Sequence, residues 1–506
     1  MKNEKDFIAH IAKAYHPKGD YIYLGAGMYN GKTLPEAAVK IPLKTMNRHG
    51  LIAGATGTGK TKTLQILAEN LSEKGVPVLL MDVKGDLSGI AKASDGEEFL
   101  YERHKKIGFP YKPNASPVEF LSISEQNGVK LRATISEFGP VLLSRILDVT
   151  PTQAGIMSII FKYCDDHQLP LLDLKDLKKV LQYVTDEGRE EIEKDYGRIS
   201  SASTGAILRK IIGLEQQGAA RFFGERSFEV KDLTRKDENG EGYINIIRLT
   251  DIQDKPALFS TFMLSLLAEI YTTFPEKGDS DKPELVMFID EAHLIFDEAS
   301  EALQNQIESI IKLIRSKGVG IYFVTQNPTD VPAEVLGQLG LKIQHALRAF
   351  TAKDRKAIKL TAENYPESEY YDTKNEITAL GIGEALVTAL DEKGRPSPLA
   401  ATMLRAPMSR MDILSPSELE EIASNSALTA KYNESIDRES AYELLNKKIA
   451  EATREQAVEK AKKERKKVSK TTTHRSSGKT EGAIIKVLTS ATFIRGVMGV
   501  LNKLLK

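Results

Sequence analysis

The chain has 506 residues, with 70 Lys and Arg against 70 Asp and Glu and a single cysteine, Cys164. This length exceeds one simple domain, and the composition is typical of a soluble globular protein. One cysteine excludes a disulfide framework and a cysteine-rich zinc site. Because the sequence has neither an 18-residue apolar run nor a signal peptide, we expect a cytoplasmic protein without a spanning helix.

The zero net charge conceals a basic C-terminal end. Residues 447–506 contain 16 Lys and Arg against five Glu, so the rest of the chain is acidic by the same amount. This asymmetry predicts a basic tail attached to an acidic body.

The first elements in chain order predict a βαβ unit. Residues 1–45 form a short β-rich segment, in which apolar runs alternate with glycine turns. Residues 46–139 begin the core: a buried strand enters a glycine-rich loop, an amphipathic helix covers 63–74, and a second buried strand covers 76–82. The two strands are expected to be parallel.

The middle of the chain predicts a helical insertion followed by the second part of the core. Residues 140–235 repeat apolar side chains at helical spacing. Residues 236–412 return to strands at 243–249, 285–289 and 320–325, separated by helices. Such alternation predicts an α/β fold with a mainly parallel sheet flanked by helices.

The C-terminal region is polar. Residues 413–480 predict a polar, helical and basic linker, of which Lys460–Lys479 either binds phosphates non-specifically or is a solvated linker. Residues 481–506 place apolar side chains three and four apart, with basic residues between them, and predict an amphipathic helix. We expect this helix to dock on a partner protein or, if copies of the chain assemble into a ring, on that ring. A membrane surface is the alternative.

One segment matches the phosphate-binding pattern G-x-x-x-x-G-K-[ST] at every fixed position. In such a loop, backbone N–H groups surround phosphate oxygens at the start of a helix, the lysine binds the β- and γ-phosphates and the hydroxyl binds Mg²⁺. The segment lies between a buried strand and an amphipathic helix, which favours ATP binding over a chance glycine turn. Its residues are Gly54, Ala55, Thr56, Gly57, Thr58, Gly59, Lys60 and Thr61.

Two adjacent carboxylates follow the apolar strand at 285–289. Asp290 is predicted to hold Mg²⁺, and Glu291 to polarise the attacking water. Gln326 ends the next strand and is predicted to orient the water or to sense the γ-phosphate, unless it is only a polar strand end.

Arg348 and Arg315 are the candidates for an arginine finger, because phosphoryl transfer is accelerated by a late-arriving cation. Arg348 belongs to an apolar-flanked strand that we expect at the sheet edge, and Arg315 to the helix between the Asp290 and Gln326 strands. Each is equally well read as an ordinary surface arginine.

Several classes of P-loop protein are excluded by missing motifs. The chain lacks the guanine-reading Asn-Lys-x-Asp of GTPases, and Leu87-Ser-Gly-Ile90 diverges from the signature of transporter ATPases. Asp290-Glu-Ala-His293 spells the DEAH-box helicase tetrad, but the arginine-rich motif of the second helicase lobe is missing.

Five segments instead make the sequence resemble the HerA-like ATPases of the HerA/FtsK superfamily, in particular their bacterial uncharacterised branch. The resemblance runs from about Tyr21 to Pro407. Its motifs are Asn47–Thr61, Asp82–Gly89, Phe288–His293, Thr325–Asn327 and Gln344–Phe350.

The resemblance implies a RecA-like P-loop core assembled as a homo-oligomeric ring, usually a hexamer, that translocates on duplex DNA. Two other functions stay open. One is an ATP-driven assembly or membrane-associated motor resembling conjugative-transfer ATPases, and the other is a nucleotide-gated scaffold without translocation.

Overall fold

One sheet of twelve strands organises the part of the chain that the structure describes. The structure is a computed structural model, which describes residues 3–278, 280–296, 301–434, 436 and 438–471. The strands are β1 (Tyr21–Tyr29), β2 (Lys32–Pro42), β3 (Gly50–Ala53), β4 (Val78–Asp82), β5 (Val118–Ser122), β6 (Val129–Lys130), β7 (Ile244–Arg248), β8 (Leu285–Ile289), β9 (Val319–Thr325), β10 (Leu341–Gln344), β11 (Glu384–Thr388) and β12 (Ala400–Leu404).

The strand order across the sheet is β2-β1-β12-β11-β10-β3-β9-β8-β4-β7-β5-β6. From β10 to β6 every neighbouring pair is parallel, whereas the pairs from β2 to β10 are antiparallel. Strands β3, β4, β8 and β9 are buried along their whole length, which explains their unbroken apolar sequences. The predicted α/β fold with a mainly parallel sheet is confirmed.

Helices connect the parallel strands and cover the sheet. Helix α2 follows β3 and contacts β1, β3, β4 and β7, so it is buried along most of its length. The α-helices are α1 (Glu4–Ala14), α2 (Lys60–Glu73), α3 (Glu98–Ile107), α4 (Ile135–Ile146), α5 (Pro151–Asp166), α6 (Leu174–Tyr183), α7 (Arg189–Asp195), α8 (Ser201–Gln216), α9 (Pro256–Thr273), α10 (His293–Phe296), α11 (Glu301–Ile314), α12 (Ala333–Leu336), α13 (Ala352–Glu363), α14 (Thr373–Ala379), α15 (Pro416–Ser424), α16 (Ala427–Tyr432) and α17 (Ala441–Thr471).

Helices α4 to α8 lie between β6 and β7, in the region where the sequence predicts an insertion. The first of them begins at Ile135, ahead of the predicted start at residue 140. Capping boxes define three of the starts: the side chains of Thr134, Thr150 and Asp173 each accept a backbone N–H of the first turn, while a first-turn side chain accepts the cap's own N–H. These local signals explain why this region forms several separate helices.

The strand before Arg348 is not at the sheet edge, contrary to the prediction. Strand β10 ends at Gln344 and lies inside the sheet, between β3 and β11. The antiparallel strands β11, β12, β1 and β2 extend the sheet beyond it, so the N-terminal β-rich segment joins the same sheet as the core. The sequence pattern missed β11 and β12, which are Glu384–Thr388 and Ala400–Leu404.

The chain divides into two compact units, Met1–Leu444 and Leu445–Lys506. Helix α17 begins within the first unit, where the backbone N–H of Tyr442 donates to Asp176 Oδ1 at 2.9 Å. The predicted amphipathic helix at 481–506 lies outside the described residues. Across the ranges that are described, no helix is both long and apolar enough to cross a membrane.

Candidate active site

The glycine-rich loop connects β3 to α2, and its backbone has positive φ angles that favour glycine at Gly57 and Gly59, as well as at Gly54. Gly57 and Gly59 have positive φ angles of 76° and 113°. A Cβ atom on Gly59 would also lie 3.2 Å from the backbone nitrogen of Gly383, which donates to the Thr58 carbonyl at 3.0 Å. The loop is therefore packed against the segment before β11.

Neighbouring strands hold the start of the loop. The N–H of Gly54 donates to the Thr325 carbonyl at the end of β9, at 3.3 Å. The N–H of Ala55 donates to the Ala346 carbonyl beyond β10, at 2.9 Å. Because both flanking strands are parallel to β3, their carboxyl ends meet the loop at one edge of the sheet.

Lys60 is buried at the first position of α2, with 7% of its surface exposed. Its Nζ donates to the loop carbonyls of Gly54 at 2.7 Å and Ala55 at 3.2 Å. Burial and the nearby Lys84 charge lower the pKa of Lys60, against the opposing effects of Glu291 and Asp290. No side chain caps the N-terminus of α2, so its first N–H groups and the ammonium group suit a phosphate.

Asp290 and Glu291 follow β8, two strands away from β3, and each is only 4% exposed. Glu291 has a φ angle of 49°, which is uncommon for a residue with a side chain. The N–H of Ala292 donates to the Val324 carbonyl at 3.0 Å and ties this turn to β9. A constrained backbone thus holds both carboxylates at the same sheet edge as the P-loop.

Lys84 is a site residue to which the sequence reasoning gave no role. It lies beyond β4 and its Nζ forms an ion pair with Glu291 Oε1, while His293 Nδ1 lies 3.3 Å from Glu291 Oε2. Partial burial lowers the pKa of Lys84, but Glu291 and the charges of Asp290 and Asp86 raise it by more. The ammonium group therefore stays charged beside the predicted water-activating carboxylate.

Burial also changes the titration of two aspartates at this edge. Burial raises the pKa of Asp290 to about 6, with the Lys84 charge acting in the opposite direction. Burial and the neighbouring Asp86 raise the pKa of Asp82 to about 7, although Asp82 Oδ1 accepts the Gly85 N–H at 2.7 Å. A cation bound between these carboxylates would therefore stabilise their charged form.

The sequence offers a signal for Lys84 and for a second missed residue, His345. The segment Asp82-Val-Lys-Gly-Asp86 begins at the last residue of the buried strand β4, and His345 directly follows β10. Since the carboxyl ends of parallel strands lie at one edge of a sheet, both are expected at the edge that carries the site. His345 Nε2 lies 2.9 Å from Thr63 Oγ1. Burial lowers the pKa of His345 to about 3, so it supports α2 as a neutral side chain.

Gln326 directly follows β9, which lies between β3 and β8, and it is exposed. Its neighbour Thr325 accepts the Gly54 N–H, so Gln326 stands between the phosphate loop and the carboxylate strand. Gln326 thus lies at the sheet edge that carries both the phosphate loop and the paired carboxylates.

The two candidate arginines lie at opposite ends of the parallel strands. Arg348 follows β10 on the P-loop side; it is exposed, and its guanidinium donates to the carbonyls of Thr378 at 2.9 Å and Leu380 at 3.4 Å. Arg315 is also exposed, but it precedes β9 and lies at the opposite end of that strand from Gln326. Neither arginine contacts the carboxylates within this chain's described residues.

The donor set fits a nucleoside triphosphate with Mg²⁺. The loop combines uncapped helix N–H groups with a buried ammonium group, and Thr61 and Asp290 supply the hydroxyl and carboxylate oxygens that Mg²⁺ prefers. A few such oxygens together with phosphate oxygens are the usual surroundings of Mg²⁺ in nucleotide sites.

Comparison with known proteins places this site in a family. Residues 28–498 match the family described as Helicase HerA-like C-terminal. The DNA double-strand break repair helicase HerA of Sulfolobus acidocaldarius is 23% identical over 358 residues, which cover 69% of this chain and 64% of the relative. That of Sulfurisphaera tokodaii is 24% identical over 366 residues, covering 70% and 64%. The chain thus spans less than two thirds of these relatives.

Among solved structures, the bacterial conjugative coupling protein TrwBdeltaN70 matches with a TM-score of 0.52 at 15% identity, covering 80% of this chain and 95% of the solved chain. TrwB is also known in complex with ADP and Mg²⁺. At this identity the likeness concerns the fold, which is that of a RecA-like P-loop ATPase. With its family match over most of the chain and the phosphate loop and paired carboxylates at one sheet edge, this protein belongs to the HerA-like helicase family.

Proposed function

We propose that this protein is an ATP-hydrolysing motor that works as a ring of identical subunits, a hexamer by analogy with its family, and moves on duplex DNA. The observation that carries the proposal is the meeting of Lys60, Asp290 and Glu291, all nearly buried, at one edge of the sheet. The names of the HerA relatives support DNA as the polymer.

Each site residue has a separate role in the proposed hydrolysis of ATP. Lys60 exchanges its carbonyl partners Gly54 and Ala55 for the β- and γ-phosphates. Mg²⁺ held by Thr61 and Asp290 would neutralise phosphate charge. Glu291 accepts a proton from the attacking water once Lys84 no longer occupies its carboxylate, and Gln326 orients that water.

Two rival functions make different predictions about what stimulates hydrolysis. An assembly or membrane-associated motor would respond to lipid or to a protein partner, and a nucleotide-gated scaffold would respond to neither. The basic helix α17 supports the DNA proposal, because Lys and Arg on a tail bind phosphates without reading sequence.

The test measures the ATPase rate of the full chain with duplex DNA, single-stranded DNA, RNA and anionic liposomes, together with the native mass. We expect duplex DNA to raise the rate most and the mass to correspond to a closed ring. The Lys60→Ala variant controls for contaminating ATPases. Stimulation by liposomes alone, or by none of the additions, would favour one of the rivals.

A further inference from the structure

A groove of about 490 Å³ opens on the face of the sheet at β3 and β10, and none of the nucleotide-site residues described above lines it. Its floor contains Leu51 and Lys342, which are partners in the register of these two parallel strands and therefore project from the same face. Its walls are residues 328–337, which include α12, and the C-terminal turn of α13. The lining is mainly apolar and includes Leu51, Pro328, Val331, Pro332, Leu336 and Leu360.

Lys342 carries the single positive charge among the described residues that line this groove. Its Nζ lies 3.5 Å from the Asn364 carbonyl oxygen, at the outer limit of a hydrogen bond, and no carboxylate within the described ranges forms an ion pair with it. Glu363 also lines the groove, but its carboxylate lies 4.0 Å from Lys359 Nζ. Burial lowers the pKa of Lys342, so the ammonium group is costly there without a counter-charge.

We propose that this groove binds a small apolar carboxylate, with its acid group paired to Lys342 and its apolar body packed between α12 and α13. The ammonium group lacks the counter-charge that buried charges normally have, and a carboxylate supplies it. Leu360 of α13 is 45% exposed although it is a large apolar residue in a concave site, and the apolar body of the ligand covers it. The inference goes beyond the proposed function, because it needs neither nucleotide nor DNA.

The size of the groove favours a small molecule over a protein partner. Its volume lies in the range of about 300–1,000 Å³ that is typical of small-molecule sites. It is lined by 13 residues, whereas each side of a stable protein interface contributes roughly 20–30. A phosphate fits less well, because the apolar walls leave most of its oxygens without hydrogen-bond donors.

The test measures the binding of three probes to the full chain by calorimetry at one ionic strength. The probes are phenylpropionate, phenylpropanol, which has the same ring without the charge, and acetate, which has the charge without the ring. We expect phenylpropionate to bind with one molecule per chain and more tightly than either other probe. Lys342→Met should weaken phenylpropionate binding roughly tenfold or more, the loss of a charge-assisted hydrogen bond, and leave phenylpropanol binding unchanged. Leu360→Ala should weaken both ring-containing probes by a similar factor, because it removes apolar surface only.

Lys356→Met is the matched control, because Lys356 is an exposed lysine of α13 that does not line the groove. It should bind all three probes as the unmodified chain does. Lys342→Arg keeps the positive charge and should retain phenylpropionate binding, whereas Lys342→Gln, which is polar but uncharged, should show the same loss as Lys342→Met. Thermal unfolding checks that every variant folds.

Undiminished phenylpropionate binding in Lys342→Met, or acetate binding as tight as that of phenylpropionate, would overturn the inference. The same holds for an unmodified chain that binds none of the probes. A change in native mass of the Lys342 variants without a change in probe binding would show that the groove receives a second copy of the chain, and the carboxylate assignment would be wrong. None of these outcomes involves the phosphate loop, so the proposed function would stand.

Discussion

Lys60 lies in the phosphate loop and Glu291 follows the carboxylate strand, so substitutions of the two residues should cause different defects. Lys60→Ala removes the buried cation of the loop, so we expect nucleotide binding to be lost. Glu291→Gln keeps the loop intact and removes only the proton acceptor, so ATP should bind and remain unhydrolysed. Equilibrium binding of labelled ATP and single-turnover hydrolysis distinguish the two defects. A Glu291→Gln chain that turns over near the normal rate would contradict the assignment.

Lys84 should set the acidic limit of the reaction. Burial raises the pKa of Asp290 to about 6, and the Lys84 charge holds it from rising further. Without that charge the pKa of Asp290 rises, so the carboxylate is protonated, and unable to hold a cation, up to a higher pH. We therefore expect Lys84→Met to shift the acidic limb of kcat/KM for ATP to higher pH, as measured by rate profiles across that limb.

Two controls separate this effect from a general loss of surface charge. Lys84→Arg keeps a cation near Asp290 and should leave the limb close to its normal position. Lys92→Met removes a lysine of similar exposure that pairs with Glu418 instead, and it should not move the limb. An unshifted limb in Lys84→Met would refute the electrostatic link.

At the scale of elements, the order of three parallel strands creates the site. Strand β9 separates the loop strand β3 from the carboxylate strand β8, so Lys60 and Glu291 follow strands that lie two positions apart in the sheet. The loop-closing contacts come from Thr325 at the end of β9 and from Ala346 beyond β10. Strands of four to seven residues are thus enough to align groups that are more than 200 positions apart in the chain.

The C-terminal limit of the part of the chain that is needed for folding and for ATP hydrolysis should lie near the start of α17. A chain ending at Asn446 retains the whole of the first compact unit, so we expect it to fold and to hydrolyse ATP at an unchanged basal rate. A chain ending at Arg438 loses Ser440 and Tyr442, which donate to the buried Asp176 carboxylate. A buried carboxylate that loses partners costs about 1–3 kcal/mol, so this shorter chain should melt at a lower temperature.

Thermal unfolding and basal ATPase rates of the two truncated chains test these expectations. Aggregation or loss of nucleotide binding in the chain ending at Asn446 would show that the tail is part of the core. Equal stability of the two chains would show that the anchor at Asp176 contributes nothing.

At the scale of the whole molecule, we expect the site to be completed between subunits. Arg348 is exposed beyond the carboxyl end of β10, three strands away from the carboxylate strand β8, whereas Arg315 lies at the opposite end of the strands, before β9. Arg348 is therefore the preferred finger, with an effect of roughly 10³–10⁵ on the rate. Mixing Arg348→Ala with Lys60→Ala chains should restore activity, because some mixed interfaces pair an intact loop with an intact arginine.

Each variant alone should be inactive, and ATPase rates of the mixture are compared with those of the separate chains. Native mass must show that the two chains co-assemble. An inactive mixture of co-assembled chains would exclude Arg348 as a residue acting in trans, and Arg315 would then be tested in the same way.

The sequence by itself determined the fold class and the strands that carry the site. Buried parallel strands are unbroken apolar runs, and the phosphate loop is a local pattern of glycines followed by a lysine, so both can be recognised without knowledge of distant contacts. The loop strand, the carboxylate strand and strand β9 were all predicted, whereas the structure supplied their order, with β9 between the other two.

Only the tertiary structure decided what lies beside these strands. The pairing of Lys84 with Glu291, the contact of His345 with α2 and the interior position of β10 each join segments that are far apart in the chain. Local periodicity describes which face of an element is buried, but which partner covers that face depends on the packing of the whole sheet.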